Sequence, residues 1–400
     1  MTNNHHRGTR RRGALTAALA VISAAGLSAC AAASPAAPAD RQPAPHALAA
    51  RTGADPARAP AGLQQAADKL VADGQPGVIV MTRRGNEVSH VTAGVADLAT
   101  GQPMRPRDRV HIGSTTKSFV ATVVLQLVAE GRLSLDDSVQ KWLPGVIGGH
   151  GYDAARITVR RLLQQTSGLR DYVSDPLFQT PQGLGRTWRP RQLVDIALNL
   201  GRPQPGWYYS NTNYIVLGML IQKVTGHSPI TEIRRRILIP LRLRDTSFPL
   251  TDRQIPGPHA HGYYGSLDVT TMVDPSAAWT AGAMISTDDD LARFYRALVT
   301  GRLLPPDEQR ELTSTIPVND PGELFAEHYG LGLYRVDLSC GTAWGHDGKY
   351  PGGFVTFAYT SPNGTRQAVM TYNNFKISDG TANPVFRHDV QHATELAFCG

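Results

Sequence analysis

Strand-like patterns gather at both ends of the globular part of this chain, and a long helical stretch separates them. Gly77–Thr82 and Glu87–Ala93 are β-branched or alternating runs split by Arg84-Gly85-Asn86, a hairpin turn. Short aromatic and β-branched runs return at Tyr329–Val336, Ala343–His346, Gly353–Tyr359 and Arg366–Tyr372, with Pro351-Gly352-Gly353 and Pro362-Asn363-Gly364 as turns between some of them. The middle, from about Leu133 to Leu303, reads as helix and loop. Asn213–Val224 is a helix stopped by Gly226. Asp288–Val299 is another, capped by Thr287 with Asp290 at the capping-box position and stopped by Gly301. A final helix covers Pro384–Ala397. These patterns predict an α/β (α+β) fold. One antiparallel sheet, built from both ends and flanked by helices, occupies about 63–132 and 304–400, and an inserted α-rich lobe occupies about 133–303.

The 41% hydrophobic share of 400 residues suffices for one large core or two fused lobes. The formal charge of +7 is partly an N-terminal effect. Residues 1–29 hold Arg7, Arg10, Arg11 and Arg12 and no acid, so the remainder carries 7 − 4 = +3. No basic stripe with interleaved aromatics is present, which argues against nucleic acid as a partner. Arg10–Arg12 form a charged n-region, and the apolar stretch Gly13–Leu27 is too short to span a bilayer. Leu27-Ser28-Ala29-Cys30 resembles a lipobox, so residues 1–29 are expected to be a lipoprotein signal peptide and Cys30 the lipidated residue. The alternative is a secretory peptide with an incidental Cys. Residues 30–62 are Ala/Pro-rich and read as a tether to a folded domain at 63–400. The expected location is therefore the outer face of the cytoplasmic membrane, or secretion. Beyond Cys30 only Cys340 and Cys399 remain. An even pair in an oxidising compartment suggests a disulfide closing a loop of about 60 residues, worth roughly 3–4 kcal/mol in the chain-entropy model.

The chemistry-bearing residues begin with Ser114-Thr115-Thr116-Lys117 at the head of a predicted helix, Ser114–Glu130. There Phe119, Val120, Val123, Val124, Leu127 and Val128 recur at helical spacing. Positions i and i+3 share a helix face, so the hydroxyl and the amine can meet, and the free amides of a helix start suit a developing oxyanion. Twenty Ser and six Lys would supply roughly 0.3 such pairs by chance, so the motif needs company. Tyr209 and Asn211 lie in Tyr208–Tyr214, between Pro205-Gly206 and a helix, where a loop can present a phenol and an amide. A neighbouring Lys117 would make the Tyr209 phenolate a competent base, and Asn211 could orient either the substrate carbonyl or the lysine. Trp344–Lys349 places His346, Asp347, Gly348 and Lys349 on a predicted edge-type strand. Taken singly, these residues read as an N-cap, an aromatic corner and a structural His. There is no Gly-x-Ser-x-Gly elbow, His-Glu-x-x-His motif, phosphate loop or dinucleotide fingerprint, and His388 with His392 mark a helix face. No metal or cofactor is implied.

Ser-x-x-Lys, Tyr-x-Asn and His-x-Gly in this order resemble the three motifs of the penicillin-recognising serine hydrolases, in the branch of class C β-lactamases and D-alanyl-D-alanine carboxypeptidases. The resemblance runs from about Gln64 to Gly400. It is nearest to secreted carboxypeptidases across Gly113–Val128, Leu135–Pro144, Ile157–Tyr172, Tyr209–Gly226, Tyr329–Gly341 and Glu395–Gly400. It implies a serine β-lactamase/DD-peptidase-like fold with Ser114 as nucleophile, Lys117 as its partner and Tyr209 as general base and acid. It further implies that Asn211 contacts the acyl-side amide, His346 networks with Tyr209, the amides of Ser114 and Lys349 form the oxyanion hole, and Trp279 lines the pocket. The same resemblance supports the Cys340–Cys399 bridge. Two departures bear on specificity. Where the carboxypeptidases bind a free carboxylate with Arg, this chain has Tyr334, with Arg335 one residue on and thus on the other strand face. Asp347 and Lys349 stand where they have Thr, and Gln165 replaces a frequent His with an expected structural effect. The resulting expectation is a monomeric D-Ala-D-Ala carboxypeptidase-like enzyme acting on cell-wall peptides and reacting with β-lactams. The alternatives are an esterase, D-amidase or β-lactamase with the same machinery, or a non-catalytic wall- or penicillin-binding lipoprotein.

Overall fold

The computed structural model describes residues 59–318, 326–375 and 384–400. The expected signal peptide, Cys30 and the tether up to residue 58 lie outside the described residues. The strands are β1 (Gly77–Arg84), β2 (Glu87–Asp97), β3 (Gln102–Pro103), β4 (Val110–His111), β5 (Tyr263–Tyr264), β6 (Leu267–Asp268), β7 (Ile285–Ser286), β8 (Ile316–Pro317), β9 (Ala326–Tyr329), β10 (Tyr334–Leu338), β11 (Gly341–Tyr350), β12 (Phe354–Thr360) and β13 (Arg366–Tyr372). Nine of them form one antiparallel sheet in the order β3-β2-β1-β13-β12-β11-β10-β9-β8. The two ends of the chain meet inside it, where β1 pairs with β13 from Val78↔Tyr372 to Arg84↔Arg366.

The period-two pattern of β1 explains this central place. Val78 and Val80 pack into one core with the helices Leu63–Ala72 and Pro384–Cys399, whereas Ile79 and Met81 face a second core on the other side. A strand apolar on both faces must be covered on both. The second core is built around the helix Thr116–Ala129, whose Phe119, Val120, Val123, Val124, Leu125 and Leu127 are all fully buried. A helix apolar all round belongs inside a protein rather than on its surface. The Phe119 ring stacks on Phe294 of the helix Asp288–Val299 at 3.6 Å between centroids. That helix starts where its cap predicts, with Thr287 accepting from the Asp290 amide.

Three local expectations change. Tyr329–Val336 is two strands, not one. The chain turns through Gly330 to Leu333, with Gly332 at φ 86°, and Leu331 and Leu333 are buried, so apolar continuity hides the turn in the sequence. The strand carrying His346 is not an edge, because β11 lies between β10 and β12. Gly348 permits a close backbone approach there, to the Ile112 carbonyl. The predicted helix start at Ser114 is a 3-10 turn, Gly113–Thr115, that leads into the α-helix at Thr116.

Cys340, at the β10–β11 turn, is disulfide-bonded to Cys399 at the end of the last helix, 59 residues later. Replacing both cysteines by serine should lower the unfolding free energy by about 3–4 kcal/mol, because the reduced chain regains loop entropy. Urea unfolding of the wild type and the double variant measures this, and equal midpoints would show that the bridge adds no stability.

Candidate active site

The turn Gly113–Thr115 is wedged against β11. A Cβ on Gly113 (φ 50°) would meet the Lys349 backbone at 2.5–2.7 Å, and one on Gly348 would lie 1.9 Å from the Ile112 carbonyl and 3.1 Å from the Ser114 amide. Side chains at either position would separate the two backbones, so glycine on both sides brings the Ser114 and Lys349 amides into one neighbourhood.

Lys117, one helical turn after Ser114, is fully buried. Its Nζ lies 2.9 Å from Ser114 Oγ, 2.7 Å from Asn211 Oδ1 and 2.7 Å from the Ala281 carbonyl oxygen. The last two atoms are acceptors only, so two Nζ–H groups point at them in either protonation state. An ammonium has one proton left to donate to Ser114 Oγ. A neutral amine turns its lone pair there instead and can take the serine proton. The Ala281 carbonyl comes from the single helical turn Trp279–Gly282, which opens with Trp279 at φ 36°, a strained conformation for a bulky residue.

The Tyr209 loop is anchored on both sides by Gln165, itself buried and at φ 64°. Its carbonyl accepts from the Tyr208 amide (2.9 Å), and its Oε1 accepts from the Ser210 amide (3.1 Å) and from Asn213 Nδ2 (2.5 Å). The structural effect expected of Gln165 is thus a specific one: it holds the loop that carries Tyr209. Lys117 Nζ lies 4.9 Å from the Tyr209 ring centroid. Asn211 opens the helix Asn211–Thr225. Its Nδ2 donates to Asp171 Oδ2 at 3.0 Å and its amide to Asp171 Oδ1 at 3.1 Å. Desolvation pushes the Asp171 carboxyl above its ordinary range, opposed in part by the Val173 amide, the Lys117 charge and Asn211.

His346 is fully buried in β11. Its Nδ1 donates to the Asp347 carbonyl at 2.5 Å, and its Nε2 hydrogen-bonds the Tyr329 hydroxyl at 3.2 Å, where the sequence reading expected Tyr209. The Tyr209 ring is 6.2 Å away, centroid to centroid. Asp347 Oδ1 lies 3.4 Å from His346 Nδ1. Burial alone would raise the Asp347 pKa, but the hydrogen bond and charge of His346 and the charge of Lys349 outweigh it, so the carboxyl sits below its ordinary range.

These groups open onto a cleft of about 280 Å³. Ser114, Tyr209, Asn211, Asp347 and Lys349 line it, facing an apolar wall that includes Val173, Phe178, Leu184 and Val273. Two residues expected there stand elsewhere. Tyr334 is buried behind the cleft, with its ring 4.7 Å from both His346 and Tyr329, because the inward face of an interior strand is core. Arg335 points to the opposite face, where it binds Asp337. Trp279 packs into the core against Gly218, leaving its neighbours Ala277, Ala278, Ala281 and Gly282 to line the cleft. Conversely, the sequence reading missed Asp171 and Tyr329. Both act across long chain separations, and neither belongs to a motif with readable spacing.

An antiparallel sheet backed by two terminal helices, with a buried Ser-x-x-Lys helix against its other face and a cleft between, defines the serine β-lactamase and penicillin-binding-protein fold. The chain belongs to the β-lactamase family of serine acyl-enzyme hydrolases, whose sequence profile matches residues 63–392. Members of this family bind β-lactams and small acyl substrates. Among solved structures, a D-stereospecific amidohydrolase from Streptomyces sp. is 39% identical, with a TM-score of 0.74 over 83% of this chain and 98% of that one. A D-amino acid amidase from Ochrobactrum anthropi is 28% identical, with a TM-score of 0.73 over 84% and 97%. A penicillin-binding protein of Bacillus subtilis is 27% identical over 297 residues, and the match spans 69% of this chain but only 63% of that relative's length.

Gly348 provides a direct test of the wedge between β11 and the Ser114 turn. Gly348→Ala should reduce turnover by about 100-fold or more by forcing the Ser114 turn away from the Lys349 backbone. Steady-state kinetics together with a thermal melt will check this; full activity in a folded variant would show that the close approach is dispensable.

Proposed function

We propose that this protein is a D-stereospecific amidase-type hydrolase. In this reading it acylates Ser114 with a substrate bearing an apolar side chain and releases an amine that carries no free carboxylate. The observation that carries the reading is the charge of the cleft wall. Asp347, its pKa lowered by His346 and Lys349, lines the same cleft as Ser114, while the position that would offer an arginine is a buried Tyr334. A carboxylate leaving group would meet a like charge there. The 39% identity to a D-stereospecific amidohydrolase across 98% of its length supports the same choice.

In this mechanism the Ser114 hydroxyl proton passes to the Lys117–Tyr209 pair as Oγ attacks the amide carbon. The amides of Ser114 and Lys349 receive the oxyanion. Collapse breaks the C–N bond, and Tyr209 returns the proton to the departing nitrogen. Water then adds to the acyl-Ser114 ester with Tyr209 as base, releasing the acid and restoring the hydroxyl. Lys117, fixed by Asn211 and Ala281, keeps the charge of this cycle inside the cleft. A carboxypeptidase acting on cell-wall D-Ala-D-Ala ends is the second reading. It is favoured by Lys349, an exposed cation on the cleft wall. We also propose export, with the lipobox-like Leu27–Cys30 as anchor; the Cys340–Cys399 bridge fits an oxidising compartment.

Two measurements test the reading. Incubation with benzylpenicillin should add one acyl mass to the wild type and none to Ser114→Ala, as read by intact-mass spectrometry; an adduct persisting in the variant removes Ser114 as nucleophile. D-phenylalanine amide should be cleaved with a kcat/KM at least about tenfold above that for D-Ala release from an N-acyl-D-Ala-D-Ala peptide, and about 100-fold above that for the L-amide. The reverse order for the first pair would select the carboxypeptidase instead.

A further inference from the structure

Asp171 is not among the residues lining the cleft, and it hydrogen-bonds Asn211 and Val173 behind it. It stands where the chain leaves Ser167-Gly168-Leu169 and enters the short turn Tyr172–Ser174, of which it is the cap. Each of its carboxylate oxygens has a defined task. Oδ1 accepts from two backbone amides, Asn211 at 3.1 Å and Val173 at 3.3 Å, while Oδ2 accepts from Asn211 Nδ2 at 3.0 Å.

The consequence lies one residue further on. An asparagine amide has a donor end and an acceptor end of nearly the same shape, so its orientation follows from its partners. In its ionised form, which the Val173 and Asn211 amides and the Lys117 charge favour against desolvation, the Asp171 carboxylate only accepts. The Nδ2 end of Asn211 must therefore face Asp171, and the Oδ1 end is left facing Lys117 Nζ at 2.7 Å. With the amide turned the other way, a donor would sit against the amine, and Nζ would lose one of the two obligate acceptors that direct its remaining proton or lone pair at Ser114.

We propose that Asp171 is a positioning residue for acylation: it orients the Asn211 amide and, through it, aims Lys117 Nζ at Ser114 Oγ. The inference rests on Ser114 and Lys117 being the acylating pair, but it does not depend on which amide or peptide is the substrate.

The pairing makes a reciprocal exchange informative. In Asp171→Asn, the new side-chain oxygen stays with the two backbone amides, which places its NH2 against Asn211 Nδ2. Asn211 relieves that donor–donor contact by turning over and presents Nδ2 to Lys117. In Asn211→Asp alone, two carboxylates face each other across the same 3.0 Å contact. In the double variant Asp171→Asn/Asn211→Asp, the hydrogen-bond pattern closes again. The asparagine at 171 donates to one oxygen of the aspartate at 211, and the other oxygen accepts from Lys117.

The experiment measures the acylation rate constant with benzylpenicillin by stopped flow, with intact mass as the check on stoichiometry, for the wild type, both single variants and the double variant across pH 5–10. Asp171→Asn should acylate at least about 100-fold more slowly than wild type. The double variant should recover at least about tenfold over either single variant, which a merely structural role for Asp171 would not produce. Its acidic limb should move to higher pH, because a carboxylate now faces Nζ and favours the ammonium. Thermal melts establish that the variants are folded. If Asp171→Asn does not fold, the comparison of Asn211→Asp with the double variant decides the matter. A folded Asp171→Asn within about threefold of wild type, or a double variant no faster than Asn211→Asp, would overturn the proposal. Acylation that survives Ser114→Ala would instead overturn the nucleophile on which it rests.

Discussion

A buried lysine amine surrounded by oxygens organises this molecule. Lys117 is sealed from solvent, and an amine without partners in such a place is strongly destabilising. Its partners include Ser114 one turn earlier and, from two distant stretches of chain, Asn211 at the head of another helix and the carbonyl of Ala281 in a single strained helical turn. The arrangement holds only if the helix Thr116–Ala129, the helix Asn211–Thr225 and the Trp279–Gly282 turn keep their mutual positions. The burial of the helix Thr116–Ala129 along Thr116–Leu125 and the seating of Trp279 and Thr280 against Gly218 supply that rigidity. Packing and reactivity are here one constraint, because the contacts that make the lysine tolerable in the core also aim it at Ser114.

The sheet contributes a different kind of control. β11 brings the backbone of Gly348 and Lys349 against the Ser114 turn, and it does so only because Gly113 and Gly348 have no Cβ to hold the strand and the turn apart. The same strand carries His346 and Asp347. His346 is tied to its own strand and to Tyr329, and with Lys349 it keeps Asp347 ionised despite burial. A negative charge therefore sits on the wall of the cleft that Ser114 and Lys349 also line. Charge of one sign at a fixed place discriminates between leaving groups far more strongly than apolar surface does. The β-lactamase family supplies the acyl-enzyme chemistry, and the proposed preference for a leaving group without a carboxylate rests on this wall.

Much of the fold was legible because period-two and helical patterns survive in local sequence. The β1–β2 hairpin, the helix ending at Gly226 and the Thr287 cap all follow from residues within a few positions of one another. What failed to read was non-local. Tyr329–Val336 looked continuous because Leu331 and Leu333, buried in the β9–β10 turn, carry the apolar pattern across it. Tyr334 and Trp279 looked like cleft residues because nothing in a sequence says which face of an interior strand or turn is already filled.

The sequence by itself determined which reactive groups exist and which of them are neighbours by spacing. Ser114 and Lys117 meet because three residues make about one helical turn. Tyr209 and Asn211 share a loop, and Cys340 and Cys399 are the pair left once Cys30 is set aside. Only the tertiary structure decided what those groups face. It put Asp171 behind Asn211, Gln165 under Tyr209, Tyr329 rather than Tyr209 on His346 Nε2, and Tyr334 and Trp279 in the core rather than on the cleft wall. The reason is physical. Hydrogen-bond direction and burial depend on contacts between segments tens to hundreds of residues apart, and no local periodicity encodes them.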